Sequence, residues 1–328
     1  MTNRKHLAVV AAIFSLACAT QRASAQTQPR EYPVKPVRII VPTSPGGLLD
    51  LVVRILAQKM AEVTGQNVLV DNRPGASNNI GTELAARAPA DGYAVLSATL
   101  PLVANPSLFD KLPFNVEKDF APVSQLVAAP YVVVVHPSVP VRSIKELIAL
   151  ARAKPGTLNY STGGNGTNLH MATELFRNQT GINIVHLAYK GAGPALAALL
   201  SGEADLSFPS LGPAMPQLKG GRVRALAITS ARRSPLLPDL PTVMESGVPD
   251  YTFASWVGVL LPSATPPAIV AALNGHVVKS MRAADVVSRL SADGTEVVAS
   301  SPEQFRGLIK SELSRWAAVV KSSGMKAE

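Results

Sequence analysis

The residue types best placed for chemistry in this chain sit in two glycine-bearing loops, each followed by a helical pattern. The first, Val41-Pro42-Thr43-Ser44-Pro45-Gly46-Gly47, follows the apolar run 37–41. The second, Ser161-Thr162-Gly163-Gly164-Asn165-Gly166-Thr167, precedes an amphipathic pattern over 168–179. A helix start carries unpaired N–H groups and the positive end of the helix dipole, so a loop of this kind can hold an anion. Glycine lets the main chain itself approach the ligand, with no Cβ in the way. Facing each other from separate lobes, the two loops would clamp a small carboxylate.

Placing the loops so calls for strands that end at them and helices that begin after them. Residues 37–41 read as a buried strand and 51–63 as a helix with Leu51, Ile55, Leu56 and Met60 on one face. Strand 68–70, helix 80–87 and strand 94–97 follow. A second series opens at 131–135. It continues with a helix over 143–153, whose Ser143 and Glu146 have capping-box spacing. Strand 158–160, the second loop and its helix come next, then strand 184–187, helix 193–200, strand 205–208, helix 214–219 and strand 224–229. A long apolar strand over 253–261 and helices over 267–281, 285–291 and 302–322 complete the chain. This alternation predicts an α/β architecture with mainly parallel sheets flanked by helices. It divides near Pro130 and near 253–255 into two lobes joined by two crossover segments. Lobe 1 is 33–130 together with 255–328, and lobe 2 is 131–254. Ligand sites in such folds lie in the cleft beyond the carboxyl ends of the strands, where both loops fall.

Residues 1–25 read as an export leader. Arg4 and Lys5 precede an apolar stretch over 7–19 and the small-residue site Ala23-Ser24-Ala25, with cleavage after Ala25. The stretch is short of the ~20 residues that span a bilayer. A lipoprotein reading of Cys18 meets Ser15 where a lipobox carries Leu. Cys18 is the single cysteine, so the cleaved chain has no disulfide, cysteine nucleophile or thiolate metal site. The 31 basic residues exceed the 22 acidic ones, but they are scattered, and three lie in the leader. Aromatic residues make up 5% of the chain, too few for base-stacking platforms, which argues against nucleic acid as a partner.

Several motifs follow one another along the chain: Val41-Pro42 with Gly46-Gly47-Leu48-Leu49-Asp50, Asn72-Arg73-Pro74-Gly75-Ala76 with Ile80-Gly81, and Ala90-Asp91-Gly92-Tyr93. Further on come Gly164-Asn165-Gly166-Thr167-Asn168-Leu169-His170, Tyr189-Lys190-Gly191, Arg224-Ala225-Leu226-Ala227 and Leu237-Pro238-Asp239-Leu240-Pro241-Thr242. In this order and spacing the chain resembles the Bug-type, TctC-like extracytoplasmic solute receptors of the tripartite tricarboxylate transporter class. The resemblance spans nearly the whole chain after the leader. It implies a two-lobed Venus flytrap periplasmic binding protein that grips one carboxylate through backbone N–H groups and bridging waters. Carried over, the first jaw is Thr43, Ser44, Gly46 and Gly47. The second is Thr162, Gly163, Gly166 and Thr167, with His170 nearby. Thr43 stands where the family commonly has an aromatic residue, and Ser77 and Asn78 where it often has glycine. These departures make the wall of lobe 1 more polar, and Asn78 joins the candidate ligand contacts.

Other residues leave alternatives open. Asp50 either complements the dipole of its helix or meets a ligand ammonium, and its first-turn position favours the former. His170 is a structural hydrogen-bonding residue or a ligand contact. Lys190, at a strand end, either neutralises a second carboxylate or is solvated. Asp205 shares a strand face with Ser207 as a candidate distal polar group. No two histidines share metal-ligand spacing with a carboxylate, so no metal and no cofactor is expected. A nucleophile elbow, a phosphate loop and a dinucleotide fingerprint are all missing, and the one Ser-X-X-Lys match, Ser323 to Lys326, lies in the tail. The chain is therefore expected to be a monomeric periplasmic receptor without enzymatic activity. Its ligand is a dicarboxylate, tricarboxylate, amino acid or aromatic acid, and its partner an integral membrane permease. A ligand-presenting subunit of a sensory system, docking to a sensor kinase, is the alternative. A periplasmic hydrolase is the remaining one.

Overall fold

A Val/Ile run inside a helix-covered sheet must be buried on both faces, and β1 (Val37–Val41) is, apart from the half-exposed Arg38. The structure is a computed structural model that describes residues 32–292 and 294–323. From Lys35 onward the chain is one compact unit. The leader with Cys18, its cleavage point and tail residue Lys326 lie outside the described residues.

After β1 come α1 (Leu48–Thr64), β2 (Val68–Asn72), a 3-10 turn (Ala76–Asn78), α2 (Asn79–Ala86), β3 (Ala94–Ala98), α3 (Pro101–Leu108), α4 (Val116–Asp119) and β4 (Phe120–Pro130). The chain then builds a second sheet from β5 (Val132–Val135), α5 (Ile144–Ala153), β6 (Asn159–Thr162), α6 (Asn168–Thr180), β7 (Val185–Ala188), α7 (Ala192–Ser201), β8 (Leu206–Ser207), α8 (Leu211–Lys219) and β9 (Arg224–Ile228). It returns through β10 (Ala254–Pro262), α9 (Pro267–Met281), α10 (Ala284–Ser291), β11 (Glu296–Val297) and α11 (Pro302–Ser323).

The first sheet has the order β11-β4-β10-β3-β1-β2 and the second β7-β6-β8-β5-β9. Parallel pairing holds where βαβ units were read, at β2-β1-β3 and at β7-β6-β8. The expectation of mainly parallel sheets is otherwise corrected. β10 runs antiparallel to both β3 and β4, and β5 antiparallel to both β8 and β9. These are the strands that carry the chain between sheets, so each enters its sheet from the opposite end. Leu51 is also corrected. It is exposed, and the buried face of α1 runs through Val52, Val53, Leu56 and Met60.

Local chemistry sets the element ends. Ser143 accepts a hydrogen bond from the Glu146 N–H at 3.2 Å, capping α5 as its spacing predicts. Glycine at position 258 of β10 lets α11 lie directly on the sheet, because a Cβ there would stand 2.1 Å from the Phe305 ring. That ring packs edge-on against Trp256, with centroids 5.5 Å apart.

The two crossings are fastened to each other. Thr229, just after β9, accepts the Tyr131 N–H at its Oγ1 (2.8 Å), and the same hydroxyl lies 2.8 Å from the Tyr131 carbonyl and 2.7 Å from that of Phe253. The Tyr131 and Phe253 rings meet edge to face at 5.1 Å.

Candidate functional site: an uncharged cleft between the two sheets

The β1–α1 loop and the 3-10 turn reach the same wall because α2 comes close to both. Gly81 in α2 has room for no side chain, since a Cβ would stand 2.8 Å from the Pro42 Cα and from the Arg73 carbonyl. α3 completes the wall. Asn105 donates to the Ser77 carbonyl and to Asn79 Oδ1, both at 2.8 Å, and so ties helix and turn together. Across from this wall, the second glycine loop leads into α6. The space between is a cleft of about 500 Å³, within the range of small-molecule sites.

Five residues expected at the site are brought together here: Thr43 and Asn78 from the first sheet's side, and Gly166, Thr167 and His170 from the second's. Thr43 Oγ1 is buried with no hydrogen-bond partner. Thr167 occupies the N-cap of α6, yet its hydroxyl donates to the Gly164 carbonyl at 2.7 Å instead of capping its helix. The first-turn amides of this thirteen-residue helix are thus left without a side-chain cap at the cleft.

The other seven do not line this cleft. Ser44, Gly46 and Gly47 are exposed and outside the cleft. Physically, Asp50 already supplies the negative charge at that helix start. Its carboxylate accepts the Gly46 N–H at 3.0 Å, Arg54 Nε at 2.9 Å and Asn72 Nδ2 at 2.9 Å. The Arg54 hydrogen bond, outweighing burial, holds its carboxyl down to about 2. What the loop contributes is Thr43, whose carbonyl accepts from Asn72 at 3.0 Å.

Thr162 and Gly163 lie behind the second loop. Thr162 Oγ1 is 2.5 Å from His186 Nε2. Gly163 is a packing position, where a Cβ would meet the Gly191 carbonyl carbon at 3.0 Å. Lys190 is exposed and does not line the cleft, although the N–H groups on either side of it, of Tyr189 and Gly191, donate to Thr162 and Gly163 of the second loop. Asp205 accepts the N–H of Asn159, the first residue of β6, at 2.8 Å. It therefore marks the far end of the sheet from the cleft.

The sequence reading missed Thr99, Asn105, Leu108 and Phe109 on one wall, and Asn165 and Asn168 on the other. Asn165 and Asn168 stand inside a quoted motif, which was the available signal. Asn168 also bridges the sheets, since its Nδ2 donates to Ser255 Oγ of β10 at 2.8 Å.

His170 lines the cleft while its ring stacks on His186 (4.4 Å), which stacks in turn on Tyr160 (4.9 Å). Behind them Glu174 receives the Tyr160 hydroxyl and Arg177 Nη1. His170 Nδ1 accepts the Gly166 N–H at 3.2 Å, so the ring closes the turn with a lone pair. Burial first, then the His186 ring, push its pKa down to about 4, against the pull of Glu174. Because the folded value lies below the ordinary 6.5, the neutral ring stabilises the fold above pH 6.5, and that contribution is lost as pH falls towards 4. We expect on the order of 2–3 kcal/mol of unfolding free energy to go between pH 7 and 4 from this group. Urea unfolding of the chain and of His170→Gln at both pH values measures it. An equal loss in the two proteins would refute the assignment.

Comparison with known proteins places this geometry. Residues 52–325 match the Tripartite tricarboxylate transporter family receptor family, TctC. The chain is similar to Protein BugT of Bordetella pertussis, 37% identical over 96% of this chain and 97% of that protein. Among solved structures it is similar to Rpa4515 of R. palustris with adipate, with a TM-score of 0.80 and 35% identity over 90% of this chain and 99% of that one. It is also similar to MatC of Rhodopseudomonas palustris with bound malate, with a TM-score of 0.77 and 31% identity over 88% of this chain and all of that one. The chain belongs to the TctC family of tripartite tricarboxylate transporter receptors.

Proposed function

We propose that this chain is an exported periplasmic receptor that captures a small carboxylate between its two lobes and hands it to a membrane permease. The observation that carries the reading is the uncapped start of α6 at the cleft, whose opposite wall includes Thr43 and Asn78. Family membership and the carboxylates bound by Rpa4515 and MatC support it. The leader supports export, and the family supports delivery to a permease and binding without turnover.

Lobe 1 ends at the β4–β5 crossing and resumes at β10, and the jaws swing at these two places. Closure removes water from the anion and strengthens its contacts with the α6 amides. A helix terminus contributes ~0.3–1 kcal/mol when exposed and up to ~2 kcal/mol when partly buried. Micromolar affinity needs about 8 kcal/mol, so hydroxyls, amides and a buried carbon skeleton supply most of it. The test is thermal unfolding of the chain with mono-, di- and tricarboxylates, amino acids and nicotinate-like acids. At least one is expected to raise the midpoint, and a panel with no stabiliser would sink the proposal.

A further inference from the structure

A second cavity, of about 200 Å³, lies behind the crossings. Strand order places it there. The cleft is built from the loops after β1, β3 and β6, whereas this cavity takes Ala128 from β4 and Ala231 from the segment after β9. In the first sheet β4 lies beyond β10 from β3 and β1, and in the second β9 lies beyond β5 from β8 and β6. β10 itself looks both ways. Its Ser255 Oγ accepts from Asn168 of the cleft at 2.8 Å and stands 3.5 Å from Thr99 Oγ1. Side chains alternate along a strand, and the neighbouring Trp256 turns to the rear cavity.

A hydrogen bond runs across the rear. Arg315 of α11 donates through Nη2 to the carbonyl of Thr252, on the return crossing just before β10, and both residues line the cavity. The guanidinium is anchored on its own helix. Its Nη1 donates to Glu312 at 3.2 Å, and Glu312 also accepts the Trp316 Nε1 hydrogen at 2.8 Å.

Surfaces on opposite sides of a swing axis move in opposite senses, so the rear cavity widens as the cleft shuts. Resting on the receptor reading above, we infer that this cavity sets how easily the jaws close, with Arg315 as a strap that closure must stretch. The space beside the strap is where a wedge drives the lobes shut. Apparent affinity is the intrinsic affinity scaled by the share of molecules already in the competent form. Strap and space therefore tune affinity without touching the guest.

Two variants act on the two parts. Arg315→Met removes the strap and keeps a long unbranched side chain, and Ala231→Trp, at an exposed position, puts a ring into the cavity. Each should tighten adipate or malate binding by about threefold in calorimetry, and the double variant by about tenfold. An Arg315 that only supports the fold would lower stability and leave affinity unchanged or weaker. Small-angle scattering of the double variant without any acid needs no guest, and its radius of gyration should fall below that of the parent chain. An unchanged or larger radius, or unchanged or weaker binding in both single variants, overturns the inference and leaves the receptor reading intact. If no carboxylate binds the parent chain, the receptor reading fails, and the scattering comparison alone decides whether the rear cavity governs the swing.

Discussion

Replacing Gly166 by valine is expected to abolish carboxylate binding, whereas the same change at Gly46 leaves affinity nearly intact. Gly166 has a φ of +72° and lines the cleft, with Leu108 facing the position of its missing Cβ. A β-branched residue there is strained by roughly 1–2 kcal/mol, and its methyls enter the space the anion needs. The distorted turn also loses the Gly166 N–H bond to His170, which holds the start of α6 in place. Affinity should fall by about 100-fold or more, equivalent to roughly 3 kcal/mol. Gly46 has a φ of +96° but open space around it, outside the cleft. Gly46→Val should cost roughly 1–2 kcal/mol of stability and change the Kd by less than about threefold. Titration calorimetry and urea unfolding on both variants separate the effects. Equal losses of affinity would mean that the first loop grips the ligand after all.

The largest effect on stability is expected from Gly258→Ala. The added methyl would overlap the Phe305 ring, which is fully buried and pinned by Trp256. Neither partner has an exposed route of escape, so α11 must lift from β10. Overpacking of this kind costs about 3 kcal/mol. Since α11 also packs on α3, the lift reaches the helix that bears Leu108. The double variant with Phe305→Leu should recover part of the loss, because the two sites share one contact. Chemical unfolding in which Gly258→Ala matches the parent chain would show that the helix and sheet are not so closely seated.

Much of this architecture is legible in the residues because burial and period agree. The run of Val and Ile at β1, followed by the amphipathic α1, leaves little choice, and the second series repeats the pattern. Of the elements that the sequence did not reveal, two bear on the site and its support. α3 has Pro101 at its start, Pro106 inside it, and Leu102 to Asn105 buried in succession, so no helical stripe shows. β4 is interrupted by Pro122, Ser124 and Gln125, and its pairing with β10 is irregular in register. Missing α3 hid Asn105, Leu108 and Phe109, the apolar part of the cleft. The glycine loops were visible as anion sites, but composition cannot tell which N–H is already taken. Asp50 takes that of Gly46 and His170 takes that of Gly166. Both partners lie four residues downstream, on the first turn of the helix that each loop starts.

The single hydroxyl of Thr229 grips both strands where they pass from one half of the molecule to the other. Two independent straps would let the halves twist, shear and yaw. Pinned side by side, they leave a swing about one line, like a book opening on its spine. In the receptor we propose, each shutting would then bring the same atoms face to face, and the guest would be judged by a fixed template and not by a wandering one.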